Sequence, residues 1–394
     1  MGETWSRHQR SMCRVIFTEP PSRGALVLAR YSSSRRVDRA GHSTLCTASW
    51  EPLPATEPVH LAYWLVQMGR YLEPTEAGGK KCRGIPIYNG CGTIYEITQP
   101  PERAEHVLYR FTGGTDGIAP YGLSALVLNG GSLYGSAFLG GSFGDCIYDY
   151  ACGVSFKLTP TGTALWDESV TWAFGQGSDG AEPTSGFIFD KSGNMYGTTI
   201  AGGDGTACNV QGHSGCGIVY ELSPSGAGWT QTVLYDFLGG TDGGAPYPGV
   251  IFDQSGNLYG ATAFGGSRGG GTIYELSPSG SGWTFTLLYS FAGSGGGPNG
   301  QCFDCPGAYS SLTMGGTGNL YGTTLGDGAH GLGMAFELAR SGTGWTFTDL
   351  HDFTGGSDGG TIWSGLVRDS SGNLYGSASS GGANGFGVIF EITP

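Results

Sequence analysis

Asp242 to Phe291 reads DGGAPYPGVIFDQSGNLYGATAFGGSRGGGTIYELSPSGSGWTFTLLYSF. Near its end Trp283, Phe285, Leu287, Tyr289 and Phe291 alternate with Thr284, Thr286, Leu288 and Ser290. A period of two is that of a strand with one strongly apolar face. Two turn sequences, Asp-Gln-Ser-Gly-Asn and Ser-Pro-Ser-Gly-Ser-Gly, and one glycine loop divide the rest. The stretch therefore predicts four short strands: a from Gly249 to Asp253, b from Leu258 to Thr262, c from Thr272 to Leu276, and d from Trp283 onward. No amphipathic helical period of useful length occurs.

The same unit recurs. Leu258-Tyr259-Gly260 has counterparts at Leu133-Tyr134-Gly135, Leu320-Tyr321-Gly322 and Leu374-Tyr375-Gly376, with Met195-Tyr196-Gly197 as a variant. Successive tyrosines lie 62, 63, 62 and 54 residues apart. The element G-x-[IVA]-[FY]-E-[LI] recurs with Glu96, Glu221, Glu275, Glu337 and Glu391, and Lys157 stands there in the second unit. Six units result, near 58–115, 116–178, 179–241, 242–297, 298–357 and 358–394. Four antiparallel strands in each of six units predict an all-β chain folded as a six-bladed β-propeller. A β-solenoid is the rival, but its coils repeat over shorter periods, about 20–30 residues. The last unit contains strands a, b and c only, so the reading places its fourth strand upstream of residue 58. Ala25 to Leu28 is the candidate for it.

Composition supports this architecture and excludes others. The 394 residues include 76 glycines, with no three-residue period, so collagen is excluded. Twenty Tyr, 19 Phe and 9 Trp give enough apolar surface to argue against disorder. No apolar run approaches the ~20 residues of a membrane helix. Charge is uneven: residues 1–83 carry 12 basic and 7 acidic residues, a balance of +5, and only six glycines. Residues 84–394 carry 7 basic and 25 acidic residues, a balance of −18, which argues against nucleic acid as a partner. Residues 1–57 are expected to form a poorly ordered basic extension, or to reflect an incorrectly assigned start. No stretch in them reads as a secretory signal.

The repeat G-N-L-Y-G-[TAS]-[TA], then G-G, then G-x-[IV]-[FY]-E-[LI]-[ST]-P, then W-T and L-Y-x-F, resembles the bacterial Gloeo/Verruco (GloVer) tandem repeat over roughly residues 69–394. The resemblance implies an extracellular or surface-displayed propeller-like protein, sometimes with a C-terminal anchor. It implies no established activity, so it assigns no catalytic residue.

The cysteines follow the insertions. Cys82/Cys91, Cys146/Cys152 and Cys208/Cys216 share the loop between strands b and c, and each second cysteine directly precedes a glycine. Those three loops span 13, 12 and 14 positions, whereas the three without cysteine span 5 each. Cys302/Cys305 lies in the one lengthened connection from strand d to the next strand a. Disulfide stapling of floppy glycine-rich loops accounts for the pattern and points to an oxidising compartment, extracellular or at the cell surface. For Cys302-x-x-Cys305, zinc with His330, or redox chemistry, stays open. Cys13 and Cys46 have no repeat counterparts.

In an up-and-down blade the d–a and b–c loops emerge on one face, so every insertion falls on that face. Tyr88, Tyr121, Tyr148, Tyr150, Tyr247, Phe303 and Trp363 lie in these loops and are candidates for stacking on sugars or packing on a protein partner. The alternative is that they cover neighbouring blades. Asp145 and Asp149 are acidic candidates. The strand-c glutamates read as structural, paired with a neighbouring blade or with backbone. The Asp-Gly turns at Asp116, Asp179, Asp242 and Asp358 also read as structural, with calcium as the alternative. No catalytic residue is assigned, and no resident cofactor or metal is expected. The reading is a non-catalytic glycan- or protein-binding module, with a polysaccharide hydrolase or lyase as the alternative and a structural surface-layer protein as a third option.

Overall fold

The computed structural model describes the strands Ala25–Tyr31, Ala48–Pro54 and Arg70–Thr75, then residues 90–98, 104–120, 126–141 and 152–394. Within the last range 163–164, 176, 211–212, 227, 281, 294–306 and 343 fall outside the description. The described residues form no helix, and their strands build a six-bladed β-propeller of small antiparallel sheets.

The first blade contributes Arg70–Thr75, Thr93–Thr98 and Glu105–Arg110 as strands b, c and d. Blade two is Val127–Asn129, Ser132–Ala137, Val154–Pro160 and Trp166–Ala173. In blade three the inner strand is broken into Ala181–Pro183 and Ile188–Phe189, followed by Met195–Ala201, Ile218–Ser225 and Gly228–Asp236. Blade four is Ile251–Phe252, Leu258–Thr262, Gly269–Ser279 and Gly282–Ala292. Blade five is Thr313–Met314, Leu320–Thr323, Met334–Ser341 and Gly344–Asp352. The sixth has Val367–Arg368, Leu374–Ala378 and Val388–Ile392.

Strand b of blade four has the predicted limits. Strand a is shorter than predicted, Ile251–Phe252: Gly249 lies against Gly186 and Ser185 of blade three, and the Asp253 amide already closes the turn onto the Asn257 carbonyl. Strands c and d are longer: the ladder runs on until Ser279 faces Gly282, with Gly280 at φ 57°. Gly226 and Gly342 take φ 59° and 58° at the same place, the left-handed conformation a tight hairpin needs. Ala25–Tyr31 is a strand, but it pairs with Ala48–Pro54 and not with the last blade.

Packing explains why Leu-Tyr-Gly repeats. The tyrosine faces the strand-c glutamate in Tyr196↔Glu221, Tyr259↔Glu275, Tyr321↔Glu337 and Tyr375↔Glu391. The glycine lies under the next aromatic of strand c. A Cβ on Gly260 would stand 2.3 Å from the Tyr274 hydroxyl; on Gly322 or Gly376 it would meet the ring of Phe336 at 2.6 Å or Phe390 at 2.4 Å. A bulge interrupts the c–d ladder beside that aromatic in blades one to five, which twists the blade there.

Blades join through aromatic pairs. The phenylalanine closing strand d packs edge-on against the strand-c aromatic of the next blade. Ring centroids are 5.2 Å apart in Phe111–Phe156, 5.3 Å in Phe174–Tyr220, 5.2 Å in Phe237–Tyr274 and 5.2 Å in Phe291–Phe336. Phe353–Phe390 closes the series at 4.7 Å. Those five phenylalanines are buried, so the interfaces between blades are the core.

Candidate recognition face

The d–a connection ends in a turn built around its aspartate. Asp116 accepts from the Thr112 amide at 2.7 Å, the Gly114 amide at 3.2 Å and the Tyr109 hydroxyl at 2.9 Å. Asp242 likewise takes the Leu238 and Gly240 amides and the Tyr235 hydroxyl. In the last blade Asp358 takes the Thr354 amide and hydroxyl, and His351 Nε2 lies 3.2 Å away. The Thr354 hydroxyl, above all, holds the Asp358 carboxyl down at about 2. These aspartates therefore spend their lone pairs closing the turn. Among the described residues no group of three or more His, Cys, Asp or Glu side chains could hold a metal ion.

The turn binds two other parts of the same face. Gly141, Gly203, Gly266 and Gly382, in the b–c loops, donate to the carbonyls of Gly114, Gly177, Gly240 and Gly356 in the d–a loops. One residue after the Asp-Gly pair is skipped, and the next is left-handed: Ala119, Glu182, Ala245 and Thr361 have φ of 52°, 58°, 48° and 57°. That conformation costs a non-glycine residue of order 1 kcal/mol. Its amide donates to Cys91, Cys152, Cys216 or Leu332 of the preceding blade at 3.0, 2.8, 2.8 and 2.8 Å. The backward reach fixes where the following residues enter the inner strand.

Two residues further on stand Thr184, Tyr247, Tyr309 and Trp363, in blades three to six. The Thr184 hydroxyl donates to the Tyr247 carbonyl at 3.2 Å. Tyr247 and Tyr309 have centroids 4.7 Å apart, and Tyr309 meets Trp363 edge-on at 5.4 Å. Tyr247 and Trp363, two of the sequence candidates, thus belong to one aromatic arc across three blades. Tyr247 is 8% exposed and Tyr309 3%, while Trp363 is half-buried. Tyr309 was legible as the residue aligned with Tyr247, but the lengthened d–a loop before it hid the register. The candidates Tyr88, Tyr121, Tyr148, Tyr150, Phe303, Asp145 and Asp149 lie outside the described residues.

The Cys208–Cys216 disulfide is formed, with Cα atoms 5.1 Å apart, and it braces this arrangement. A Cβ on Gly239, in the d–a loop leading to Tyr247, would stand 2.2 Å from Cys208 Sγ. Cys91 and Cys152 are disulfide-bonded too. Their sequence-assigned partners Cys82 and Cys146, like Cys302, Cys305, Cys13 and Cys46, lie outside the described residues.

Four of the strand-c glutamates find hydrogen-bond partners inside their own blades. Glu221 and Glu275 accept from Ser223 and Ser277 at 2.7 and 2.9 Å, and Glu391 from Tyr375 at 3.1 Å. Glu337 takes Asn319 Nδ2 at 2.8 Å and the Tyr321 hydroxyl at 2.7 Å. In blades three, four and six a turn aspartate shares the tyrosine hydroxyl, as Asp190, Asp253 and Asp369 do at 3.3 Å. Blade five has Gly315 where those aspartates stand, and Glu337 takes both donors instead. Glu168 differs: one oxygen is buried without a partner, and burial, then the Asp116 charge, push its carboxyl up to about 7.

A family model, the Gloeobacter/Verrucomicrobia repeat, matches from the b–c loop of blade three to the last residue. Residues 205–394 are Gloeobacter/Verrucomicrobia repeats. Blades one and two, upstream of that match, repeat the pairing of strand c with its neighbours, with Lys157 facing Tyr134 in place of glutamate. No curated protein matches the sequence. Among solved structures, a proposed oxidoreductase (glucose dehydrogenase) of Thermus thermophilus is 14% identical, with a TM-score of 0.41 over 82% of this chain and 100% of that one. An α-L-arabinofuranosidase of Clostridium thermocellum is 10% identical, with a TM-score of 0.35 over 73% of this chain and 91% of that one. Likenesses this distant carry no statement about activity.

Proposed function

We propose that this propeller is a non-catalytic binding module that recognises a glycan or a protein through the disulfide-stapled face, outside the cell or at its surface. The aromatic arc from Tyr247 to Trp363 carries the reading. It brings together adjacent aromatic rings from the d–a connections of three blades, among loops that differ in length from blade to blade, as recognition surfaces on repeat scaffolds do. Trp363 is the member with exposed ring surface, so it is the residue assigned to contact. The described turn aspartates and most strand-c glutamates are engaged within their own blades, which favours binding over acid–base chemistry on this face. The cysteine bridges and the family resemblance support the extracellular placement. Among the described residues no helix is long and apolar enough to cross a membrane.

A glycan-array screen of the full chain, repeated with Trp363→Ala, tests the reading. Binding that falls on the order of 10-fold or more in the variant supports it. Polysaccharide cleavage by the wild-type chain, read as new reducing ends, would establish the hydrolase or lyase alternative instead.

A further inference from the structure

Strand d of blades two to five carries one side chain toward the preceding blade at a fixed position. Phe285 holds it in blade four and stacks on Tyr235, with centroids 4.5 Å apart. Phe347 holds it in blade five and stacks on Tyr289 at 4.1 Å. Register makes Glu168 and Gln231 their counterparts in blades two and three, since all four stand opposite the strand-c leucine: Leu158, Leu222, Leu276 and Leu338. Gln231 ties its blade to the d–a turn before it, and its Nε2 donates to the Asp179 carbonyl at 2.8 Å. Glu168 has the same shape as glutamine without the amide donor. Its Oε1 is buried with no partner, and the turn before its blade is that of Asp116.

The neighbouring charges decide which carboxyl takes a proton. Asp116 accepts four hydrogen bonds, from the Thr112 amide and hydroxyl, the Gly114 amide and the Tyr109 hydroxyl. Glu168 Oε1 has none, so of the two it is the one that gains by protonation. Burial, then the Asp116 charge, push Glu168 up to about 7. Tyr109 also faces it, with its hydroxyl spent on Asp116. The remaining charges nearby lie elsewhere. Lys157 of strand c sits over the Tyr134 ring, 5.8 Å from its centroid, and Asp236 of strand d in blade three accepts from the Asp204 amide. Asp167 beside Glu168, and Glu105, His106 and Arg110 on strand d of blade one, are exposed.

We infer that protonated Glu168 is a latch that donates to the Asp116 carbonyl, as Gln231 does to the Asp179 carbonyl, and that it opens when the carboxyl ionises. The acid O–H takes the place of the glutamine N–H. Once that proton leaves to water, acceptors face each other and a second negative charge stands beside Asp116 across the joint between blades one and two. The latch reaches the stapled face, because the same turn ties down the b–c loop of blade two. There the Gly141 amide donates to the Gly114 carbonyl at 3.2 Å, and Ile118 pairs with Leu139. Acid therefore orders this sector of the face, and rising pH loosens it. A consequence that rests on the proposed function is that a partner held through blade two binds more tightly in acid.

Amide exchange of the full chain, expressed at each pH as protection relative to the unfolded chain, tests the latch. At about pH 8.5 the Asp116 turn should be protected on the order of 10-fold less than at about pH 5.5, while the Asp179 turn should not change. Glu168→Gln should keep the Asp116 turn protected at both pH values. Gln231→Glu should carry the pH dependence to the Asp179 turn. Each substitution puts in the residue that the neighbouring blade already has, and unchanged protection of Met334–Leu338 in blade five shows that the ring still folds. An Asp116 turn whose protection ignores pH overturns the assignment. So does a pH dependence that survives Glu168→Gln, or an Asp179 turn that stays insensitive to pH in Gln231→Glu. No ligand enters these readouts, so the latch and the binding role stand or fall separately.

Discussion

Tyr220 and Tyr274 bury their hydroxyls completely with no hydrogen-bond partner, over Gly197 and Gly260. Blades two, five and six have Phe156, Phe336 and Phe390 at that position. Removing the hydroxyl keeps the ring and ends the desolvation penalty. Tyr220→Phe and Tyr274→Phe should each raise stability by about 1 kcal/mol in chemical denaturation, and a fall would show that the hydroxyls are satisfied. Glu168 provides a pH-dependent test at the same scale. Its folded carboxyl sits at about 7 against an ordinary 4.5, so between those values the folded state holds the proton more tightly than the unfolded one. Stability from this group is full below 4.5 and is lost as pH rises through 7. Glu168→Gln should flatten the slope in that window and make the protein more stable than wild type at neutral pH. Denaturation midpoints across the window measure both effects; an unchanged slope in the variant would rule the group out as its source.

At the scale of single elements, the b–c loop of blade three is held by one covalent link. Cys208–Cys216 closes a ring with sequence separation 8, and its sulfurs pack against Gly239. Cys208→Ser with Cys216→Ser should cost about 2–3 kcal/mol of stability and expose the loop leading to Tyr247 to protease. If unfolding and proteolysis are both unchanged, the staple does not order this face. Strands were largely readable from the chain because alternation and turn residues fix them locally. Trp283 to Phe291 shows its face by period two, and the Ser-Gly-Asn turn ends strand a. The limits of strand a were less legible, because its length depends on where left-handed Ala119, Glu182, Ala245 and Thr361 tie the inner strand to the blade before it. That is a tertiary hydrogen bond with no local signature. The glutamate partners were misjudged for a related reason: register places Tyr259 opposite Glu275 in the same sheet, and strand pairing had to be known first.

Across the whole molecule, repetition divides labour between two layers. The interblade aromatic pairs, spaced 4.7 to 5.3 Å, recur nearly unchanged and carry stability. The lengthened loops fall on the stapled face, where Tyr247, Tyr309 and Trp363 are brought together by blade order. The site was therefore legible in part: spacing identifies which residues share a face, but closing the ring decides which rings touch. The cysteines make the same division measurable. Of ten in the chain, Cys91, Cys152, Cys208 and Cys216 are bridged, and each is tied to the strand or loop of the following blade. If all four insertions are stapled, only Cys13 and Cys46 remain outside the repeat pairs. Protein made in an oxidising compartment and unfolded without reductant should then give at most two free thiols of the ten. Reduction before unfolding should lower stability by more than the loss of Cys208–Cys216 alone, since the closed loops lie in separate blades and their contributions add. Eight or more free thiols would remove both the stapled face and the extracellular placement, because the same bridges support the two.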